Sequence, residues 1–276
     1  MKSEGKSDLL AQKICASLVA AEDKLPGLNT LRKHLAEHPE AAPLVWDAFG
    51  IRALFLNEIT KSYLNIETSS ISSVAKTTFP VVDVMISLCP VKEFRESCVS
   101  AQLPLFLYPI LNSSSKEEGI ERAKAKVLCF INILVDEKTP DASHSLELFK
   151  TTELVPLCLR NMELGTEKTK IAAGRVLYAI FSNRDGLEYS CQTYDRFMAI
   201  SIILNSVLVQ METMRSPELL EGVIKIYTKL CGMPNAKVVF NKNRPQMLYT
   251  EHIREMVRTN AQVKAAYEEF IHALQG

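Results

Sequence analysis

The sequence has few of the features that catalysis and metal binding usually require. Only 10 of its 276 residues are glycine, and it contains no glycine-rich phosphate loop, G-x-S-x-G turn or protein-kinase signature. The seven cysteines are scattered and form no C-x-x-C pair. They predict free thiols in a reducing compartment rather than a disulfide framework or a zinc cage. The sequence therefore indicates neither an enzyme nor a bound cofactor.

Net charge and long apolar runs are also missing. The 32 Lys and Arg residues balance 32 Asp and Glu residues, so no long-range field draws the molecule toward nucleic acid or an anionic membrane. The segment Met1 to Asp8 is polar, unlike a secretory signal, and we find no uninterrupted apolar run of about 18 residues. These observations predict a cytosolic or nuclear protein that does not associate with membranes.

What the chain does contain is helical periodicity. Apolar residues recur at three- and four-residue spacings, most clearly from Pro217 to Cys231. Ser216 is placed to cap that helix, and Gly232 is placed to end it in a left-handed turn. Pro104 and Pro156 fit the first turn of a helix and would interrupt a central strand.

Proline-led apolar segments recur at residues 42–45, 103–106 and 155–158. From Pro156, similar apolar openings follow near Phe197 and Val238, about 41 residues apart, close to the period of armadillo and HEAT units. We therefore predict an all-α fold, an armadillo-like helical-repeat solenoid. It would form a single domain over residues 1–276 with five or six repeats.

One string has the order of a metalloprotease motif, H-x-x-E-H, in His34, Glu37 and His38. A helix would place both imidazoles on one side. Pro39 follows at once, however, and no third ligand or supporting shell is evident. We interpret the string as solvated residues of a final helical turn. Residues 113–118 place serines before acidic residues, which fits helix capping, with a phosphorylation switch as the alternative.

Basic residues recur on the faces of several predicted helices. If those helices stack as repeats, their charges would line one concavity and favour acidic or phosphorylated peptides, or a nucleic-acid backbone. The alternative is an ordinary solvated face, and the neighbouring tyrosines are either stacking surfaces or partly buried packing residues. The residues concerned are Arg122, Lys126, Lys168, Ala172, Arg175, Arg184 and Arg196, with Tyr189 and Tyr194.

Four strings resemble one family. They are PLVWDAFG at 43–50, PLFLYP at 104–109, TTELVPLCLR at 151–160 and, most specific, GLEYSCQTYDRF at 186–197. The last looks like the hallmark of the cell-differentiation (Rcd-like) family, the armadillo-repeat subunits of the CCR-NOT messenger-RNA deadenylase complex. The matches span about residues 40 to 240 in the family's order.

The resemblance implies a noncatalytic adaptor that docks on the large Not scaffold subunit and recruits short peptide segments of RNA regulators. Its function would lie in messenger-RNA decay and translational repression, in the cytoplasm and its P-bodies, with nuclear presence as well. Homodimer formation and nucleic-acid binding are also associated with the family. The alternative function is a nucleic-acid-binding armadillo protein with a basic concave groove.

The resemblance also implies two sites. Scaffold binding falls on Trp46, Asp47, Phe49 and Ala53; Asp47 stands where the family commonly has histidine, and Trp46 is alternatively a core residue. In the groove the family commonly has tyrosine, glycine and valine at the positions aligned with Arg122, Cys129 and Ala172, so an aromatic contact is replaced by charge. The peptide or nucleic-acid groove comprises Arg122, Lys126, Cys129, Lys168, Ala172, Arg175, Tyr194 and Arg196.

Overall fold

The computed structural model describes residues 4–65, 71–242 and 245–275. Throughout these ranges every regular element is a helix, which confirms the all-α prediction. The chain forms two compact units, Met1–Leu134 and Val135–Gly276. The single domain over 1–276 stays a prediction, and each unit is described by itself.

The first unit begins with a helix pair and continues with two groups of three helices. The third helix of the first group, α5, packs on α2. Its core includes an aromatic chain in which the Trp46 ring meets Phe94 edge-on at 4.8 Å and Phe94 lies 6.4 Å from Phe130. The helices are α1 (Glu4–Ala20), α2 (Leu25–Glu37), α3 (Ala42–Asp47), α4 (Ile51–Lys61), α5 (Ile71–Leu88), α6 (Lys92–Ser100), α7 (Tyr108–Asn112) and α8 (Glu118–Val135), with 3-10 turns at Pro39–Ala41, Ser62–Asn65 and Leu103–Leu107.

The second unit repeats one three-helix group three times. The third helices of the groups stack on one another, α11 on α14 and α14 on α17, while the second helices α10, α13 and α16 form a parallel row. In this core the Tyr227 ring packs against two phenylalanine rings, with ring centres 5.4 Å from Phe240 and 5.9 Å from Phe270. The helices are α9 (Ala142–Lys150), α10 (Leu154–Leu164), α11 (Glu167–Ser182), α12 (Arg184–Ser190), α13 (Tyr194–Met214), α14 (Pro217–Leu230), α15 (Pro234–Lys242), α16 (Glu251–Thr259) and α17 (Ala261–Gln275).

The repeat period differs from the sequence-based prediction. Within each unit, successive third helices begin about 44 to 50 residues apart, whereas the predicted spacing was about 41. The predicted spacing was shorter because it compared non-equivalent positions: Pro156 and Phe197 lie on the second helices α10 and α13, whereas Val238 lies on the first helix α15.

Helix ends follow the sequence rules at some positions and break them at others. Ser216 Oγ accepts a hydrogen bond from the Leu219 N–H at 3.3 Å, as predicted for the cap of α14. Gly232 does not form the predicted left-handed turn, since Gly50 is the glycine with positive φ among the described residues. A Cβ at Gly232 would instead lie 3.0 Å from Lys229 O, so that position requires a small residue for close approach.

At the end of several helices, the last carbonyl groups accept hydrogen bonds from a Lys or Arg side chain that comes later in the sequence. The carbonyl groups of a last helical turn have no partner inside the helix, and a positive charge there also offsets the helix dipole. Lys170 Nζ, for example, donates at 2.6 Å to both Met162 O and Glu163 O at the end of α10. The same arrangement recurs at the ends of α1, α3 and α12, through Lys24, Arg52 and Arg196. After α5, Arg95 Nη1 donates to Cys89 O and Pro90 O in the turn that follows the helix.

The H-x-x-E-H string is only partly the solvated turn that the sequence predicts, since Glu37 is exposed and His38 is partly exposed but His34 is not. His34 is buried, with its Nε2 atom 3.5 Å from Ser7 Oγ. The two imidazole rings do lie on one side of the helix, 5.0 Å apart, and His38 Nδ1 pairs with Glu40 at 3.0 Å. Among the described residues no group of three or more metal-ligand side chains occurs. His34 is therefore a packing residue in this structure.

Helix α13 is longer and more apolar than the sequence analysis recognised. Tyr194–Met214 is long and apolar enough to cross a membrane by length and composition alone. It packs against α10, α14 and α16 within the second unit, and a third of its apolar window, 33%, is buried there. The absence of membrane association stays a prediction.

Candidate interaction surfaces

The connection between α3 and α4 carries a fully exposed aromatic side chain. Phe49 is 96% exposed, and Asp47 and Ala53 beside it are exposed as well. Gly50 turns the chain here with φ of +83°, and a Cβ at that residue would lie 3.0 Å from Val19 Cγ1. Only glycine meets both conditions without strain, and the turn it makes leaves Phe49 in solvent.

Trp46 has a different role from the other three predicted scaffold-binding residues. It is 4% exposed and packs edge-on against Phe94, so the alternative that it belongs to the core is confirmed. Its indole nevertheless forms part of the wall of a surface pocket. We use "docking surface" below for the exposed residues Asp47, Phe49 and Ala53.

Arg52, in the first turn of α4, contacts the last two residues of α3. Its Nη2 atom donates to Asp47 Oδ1 at 2.9 Å, its Nε atom donates to Trp46 O at 3.3 Å, and its guanidinium carbon lies 4.6 Å from the centre of the Trp46 ring. The negative charge at the position where the family commonly has histidine is therefore offset within the chain. Sequence reasoning missed Arg52. The available signal was a cation in the first turn of a helix, where the dipole disfavours it unless a partner is present.

On α8 the predicted groove residues Arg122, Lys126 and Cys129 lie on one face, with Arg122 and Cys129 exposed and Lys126 partly so. Both cations lie over the Phe79 ring, at 5.5 Å for Arg122 and 5.7 Å for Lys126. Lys126 also forms an ion pair with Asp83. The face is thus basic only at Arg122, because a carboxylate of α5 offsets the second charge.

Among the predicted groove residues on α11 of the second unit, Arg175 already has an acidic partner within the chain. Lys168 and Arg175 are exposed on α11, with Ala172 partly exposed between them. Arg175 Nη2 donates to Glu218 Oε1 at 2.6 Å, which joins α11 to α14. Its charge is thereby balanced by a neighbouring helix.

Tyr194 and Arg196 lie in the first turn of α13 and differ in their contacts with the rest of the chain. Arg196 Nη1 donates at 3.1 Å to Tyr189 O and at 3.3 Å to Gln192 Oε1, and its guanidinium carbon lies 4.7 Å from the centre of the Tyr189 ring. Tyr194 is 67% exposed. Arg196 is therefore committed to the end of α12, whereas Tyr194 is open to a partner.

Comparison with known proteins agrees with this architecture. The model of the cell differentiation family, Rcd1-like, matches residues 15–274. The chain is 26% identical over 255 residues to the cell differentiation protein rcd1 of Schizosaccharomyces pombe, covering 92% of this chain and 89% of that protein. It is 26% identical over 263 residues to protein CAF40 of Saccharomyces cerevisiae, covering 95% of this chain and 69% of that protein.

Solved structures support the fold. A computationally designed armadillo repeat protein for modular peptide recognition matches with a TM-score of 0.61 and 12% identity, over 95% of this chain and 98% of that one. A designed armadillo repeat protein in complex with the peptide (KR)4 matches with a TM-score of 0.58 and 12% identity, over 95% and 98% of the two chains. These likenesses confirm the armadillo-like helical-repeat fold. With the family model matching almost the whole sequence, the chain belongs to the Rcd1-like cell differentiation family.

Proposed function

We propose that this chain is a noncatalytic adaptor subunit of a messenger-RNA deadenylase complex of the CCR-NOT type. It docks on the large Not scaffold subunit through the docking surface. The observation that carries the proposal is Phe49, which is 96% exposed on a turn that only glycine accommodates. Large aromatic side chains that enter a partner's pocket often dominate the energy of protein interfaces, and this one has no packing role in its own chain.

The adaptor function also includes a second surface, on which the chain recruits short peptide segments of RNA regulators for decay and repression of their messages. Each unit has exposed positions of its own that are available for this, Arg122 and Cys129 on α8 in the first unit and Tyr194 on α13 in the second. Armadillo repeats commonly present such surfaces to extended or helical peptides. We place this activity in the cytoplasm and its P-bodies, with nuclear presence.

The ion pairs of Lys126 and Arg175 count against the nucleic-acid-binding alternative. Affinity for a phosphate backbone comes from cations that release counterions on binding. Cations already paired with Asp83 and Glu218 would have to exchange one partner for another. The adaptor is therefore the better supported function.

The test is binding of the purified scaffold subunit to the native chain and to Phe49→Ala, measured by calorimetry. We expect Phe49→Ala to lose about 2 kcal/mol of binding free energy, about 30-fold in Kd. Its thermal stability should match that of the native chain, because so exposed a side chain contributes little to folding. Tyr194→Ala, which removes an exposed aromatic ring elsewhere, is the control and should bind normally. Equal affinity of all three proteins would place the interface elsewhere.

A further inference from the structure

The segment between α7 and α8 carries three consecutive serines, Ser113 to Ser115, followed by a lysine and two glutamates. Residues 113–117 belong to no helix. The sequence allows two interpretations of this segment, helix capping and phosphorylation. In the structure the three serines do not share one role.

Ser113 and Ser115 use their hydroxyl groups within the chain. Ser113 Oγ accepts a hydrogen bond from the Ser115 N–H at 3.2 Å, and Ser115 Oγ accepts one from the Glu117 N–H at 3.3 Å. Both side chains are partly buried. These two serines therefore shape the turns that lead into α8, which is a structural role.

Ser114, between them, is different. Its side chain is exposed and, within the part of the chain that the structure describes, its hydroxyl group forms no hydrogen bond. Serine hydroxyls close to the start of a helix commonly bond to a nearby backbone group. A phosphate group added to Ser114 therefore displaces no hydrogen bond of that side chain.

The glutamates that follow give Ser114 a specific chemical context. In the whole sequence three serines or threonines have an acidic residue three positions later, namely Ser114, Ser115 and Ser182. The hydroxyl group of Ser182 is buried, and that of Ser115 accepts a backbone hydrogen bond. Of the three, Ser114 is the one that has an accessible, uncommitted hydroxyl group.

This acidic residue is a recognition element for one class of enzyme. Protein kinases select substrates in part by their charge pattern, and an acidophilic kinase binds the carboxylate three residues after the acceptor through basic side chains. For Ser114 that carboxylate belongs to Glu117, which is exposed. Because residues 113–117 lie outside the helices, they can extend into a kinase site without unwinding α7 or α8.

We propose that Ser114 is a phosphorylation site for an acidophilic protein kinase. In the transfer, Ser114 Oγ forms a bond to the γ-phosphorus of ATP while the bond from that phosphorus to the β–γ bridging oxygen breaks. ADP leaves with the bonding electron pair, and the hydroxyl proton passes to the catalytic aspartate of the kinase. The product carries about −1.5 to −2 charges at neutral pH where the serine was neutral.

The phosphate changes the surface charge and leaves the fold intact. The dipole of α8 favours negative charge before its first turn, whereas Glu117 and Glu118 repel it, so the two effects oppose each other. The modification therefore acts through a partner that binds the phosphate, as arginine clusters do, and not by unfolding the segment. This inference is independent of the proposed scaffold docking, since no step of it involves the docking surface.

The test uses the full-length purified chain, ATP and a purified acidophilic kinase, with mass spectrometry of the digested protein to locate the phosphate. We expect a single phosphate, on Ser114, and no phosphate in Ser114→Ala. Absence of phosphate from the native chain would overturn the proposal. So would phosphate on Ser115 with Ser114 unmodified, or modification of the heat-unfolded chain alone.

Glu117 and Glu118 provide a matched pair of variants. Glu117→Gln removes the carboxylate three residues after Ser114, and we expect about tenfold slower phosphorylation because a charge-assisted hydrogen bond to the kinase is lost. Glu118→Gln removes the carboxylate three residues after Ser115 and should slow the reaction less than about threefold. An effect of Glu118→Gln as large as that of Glu117→Gln would reject Ser114 as the recognised acceptor.

Thermal unfolding tests the remaining part of the proposal. The phosphorylated chain should melt within about 2 °C of the unmodified chain, because an exposed side chain without hydrogen bonds has little to lose. A larger fall in melting temperature would show that the phosphate disturbs the start of α8. The claim that the modification leaves the fold intact would then be wrong.

Discussion

The docking surface and the basic positions are both exposed, yet they are built in opposite ways. At the docking surface a large apolar side chain, Phe49, is left in water while the charges next to it are paired. On α8 and α11 most apolar residues are buried, and two of the predicted groove cations already have acidic partners, Lys126 with Asp83 and Arg175 with Glu218. The first arrangement gains free energy only when a partner covers it. The second is already satisfied in the free protein.

This difference shows how to distinguish a binding residue from an ordinary surface residue in a repeat protein. Exposed Lys and Arg are common on any helical surface, and their presence alone indicates little. A fully exposed aromatic ring beside a required glycine is rare. Burying such a side chain would stabilise the folded chain by about 1.5–3 kcal/mol relative to leaving it exposed. The expected effects below follow from that distinction.

The largest expected difference between apolar and charge-based binding is in the response of affinity to salt. Because the charges at the docking surface are paired, scaffold affinity should change less than about threefold between about 50 and about 200 mM salt. A protein that contacts six to ten phosphates loses about 10³–10⁵ in affinity over the same range. Calorimetry at both salt concentrations, with single-stranded RNA as the second ligand, measures this. A steep loss of scaffold affinity would show that charge, not Phe49, carries docking.

A smaller effect concerns thiol reactivity on the α8 face. Cys129 is exposed there, whereas burial raises the pKa of Cys15, Cys191 and Cys231 to about 11. At pH 8 a thiol with that pKa is ionised in about one molecule in a thousand, and the thiolate is the reactive species. We expect iodoacetamide to modify Cys129 first and these three at least tenfold more slowly. The slow reactions should accelerate about tenfold per pH unit up to the pKa.

The same reaction tests peptide recruitment. A peptide that covers the α8 face should slow alkylation of Cys129 and leave that of Cys191 unchanged, as read by mass spectrometry of the digested protein. If Cys191 were protected instead, we would infer that the peptide binds near the end of α12 rather than on α8.

Much of the fold could be predicted from the sequence, since helix periodicity depends on local spacing. The Ser216 cap and the early prolines at 104 and 156 fall where they were expected. The buried position of His34 could not be predicted, because it depends on contact with Ser7 on another helix. The predicted repeat spacing was too short for a related reason, because the sequence does not show that Val238 lies on a first helix, α15, whereas Pro156 and Phe197 lie on second helices.

The candidate site was predictable only in part. The family pattern identified Phe49 and Ala53, and the structure places both at the surface. It could not show that Lys126 and Arg175 have acidic partners 43 residues away in sequence. Nor could it distinguish Lys168 from Lys170, two residues apart on α11, of which the first is exposed and the second is 2% exposed.

That pair of lysines gives the next prediction. Lys170→Met keeps the aliphatic chain but removes the donor to Met162 O and Glu163 O, so the end of α10 loses its cap. We expect a loss of about 1–3 kcal/mol in the free energy of unfolding. Lys168→Met, the matched control, should stay within about 0.5 kcal/mol of native. Urea unfolding followed by circular dichroism measures both. If both variants lost the same free energy of unfolding, burial of a lysine would not indicate a structural role in this chain.

The smallest expected effect is at Arg175. Its pair with Glu218 is short, 2.6 Å, but the two side chains are 64% and 57% exposed, and such surface pairs contribute about 0–1 kcal/mol. Arg175→Ala should therefore lower the free energy of unfolding by less than about 0.5 kcal/mol. In a double-mutant cycle with Glu218→Ala, the coupling energy should be equally small.

The informative readout for Arg175→Ala is its affinity for acidic peptides. If Arg175 belongs to a satisfied surface, that affinity should match that of the native chain within about twofold, because the guanidinium exchanges one carboxylate for another with little net gain. A tenfold loss at unchanged stability would make Arg175 a binding residue in spite of its ion pair. The contrast between an apolar docking surface and inert basic positions would then no longer hold, and α11 would become a second recognition surface.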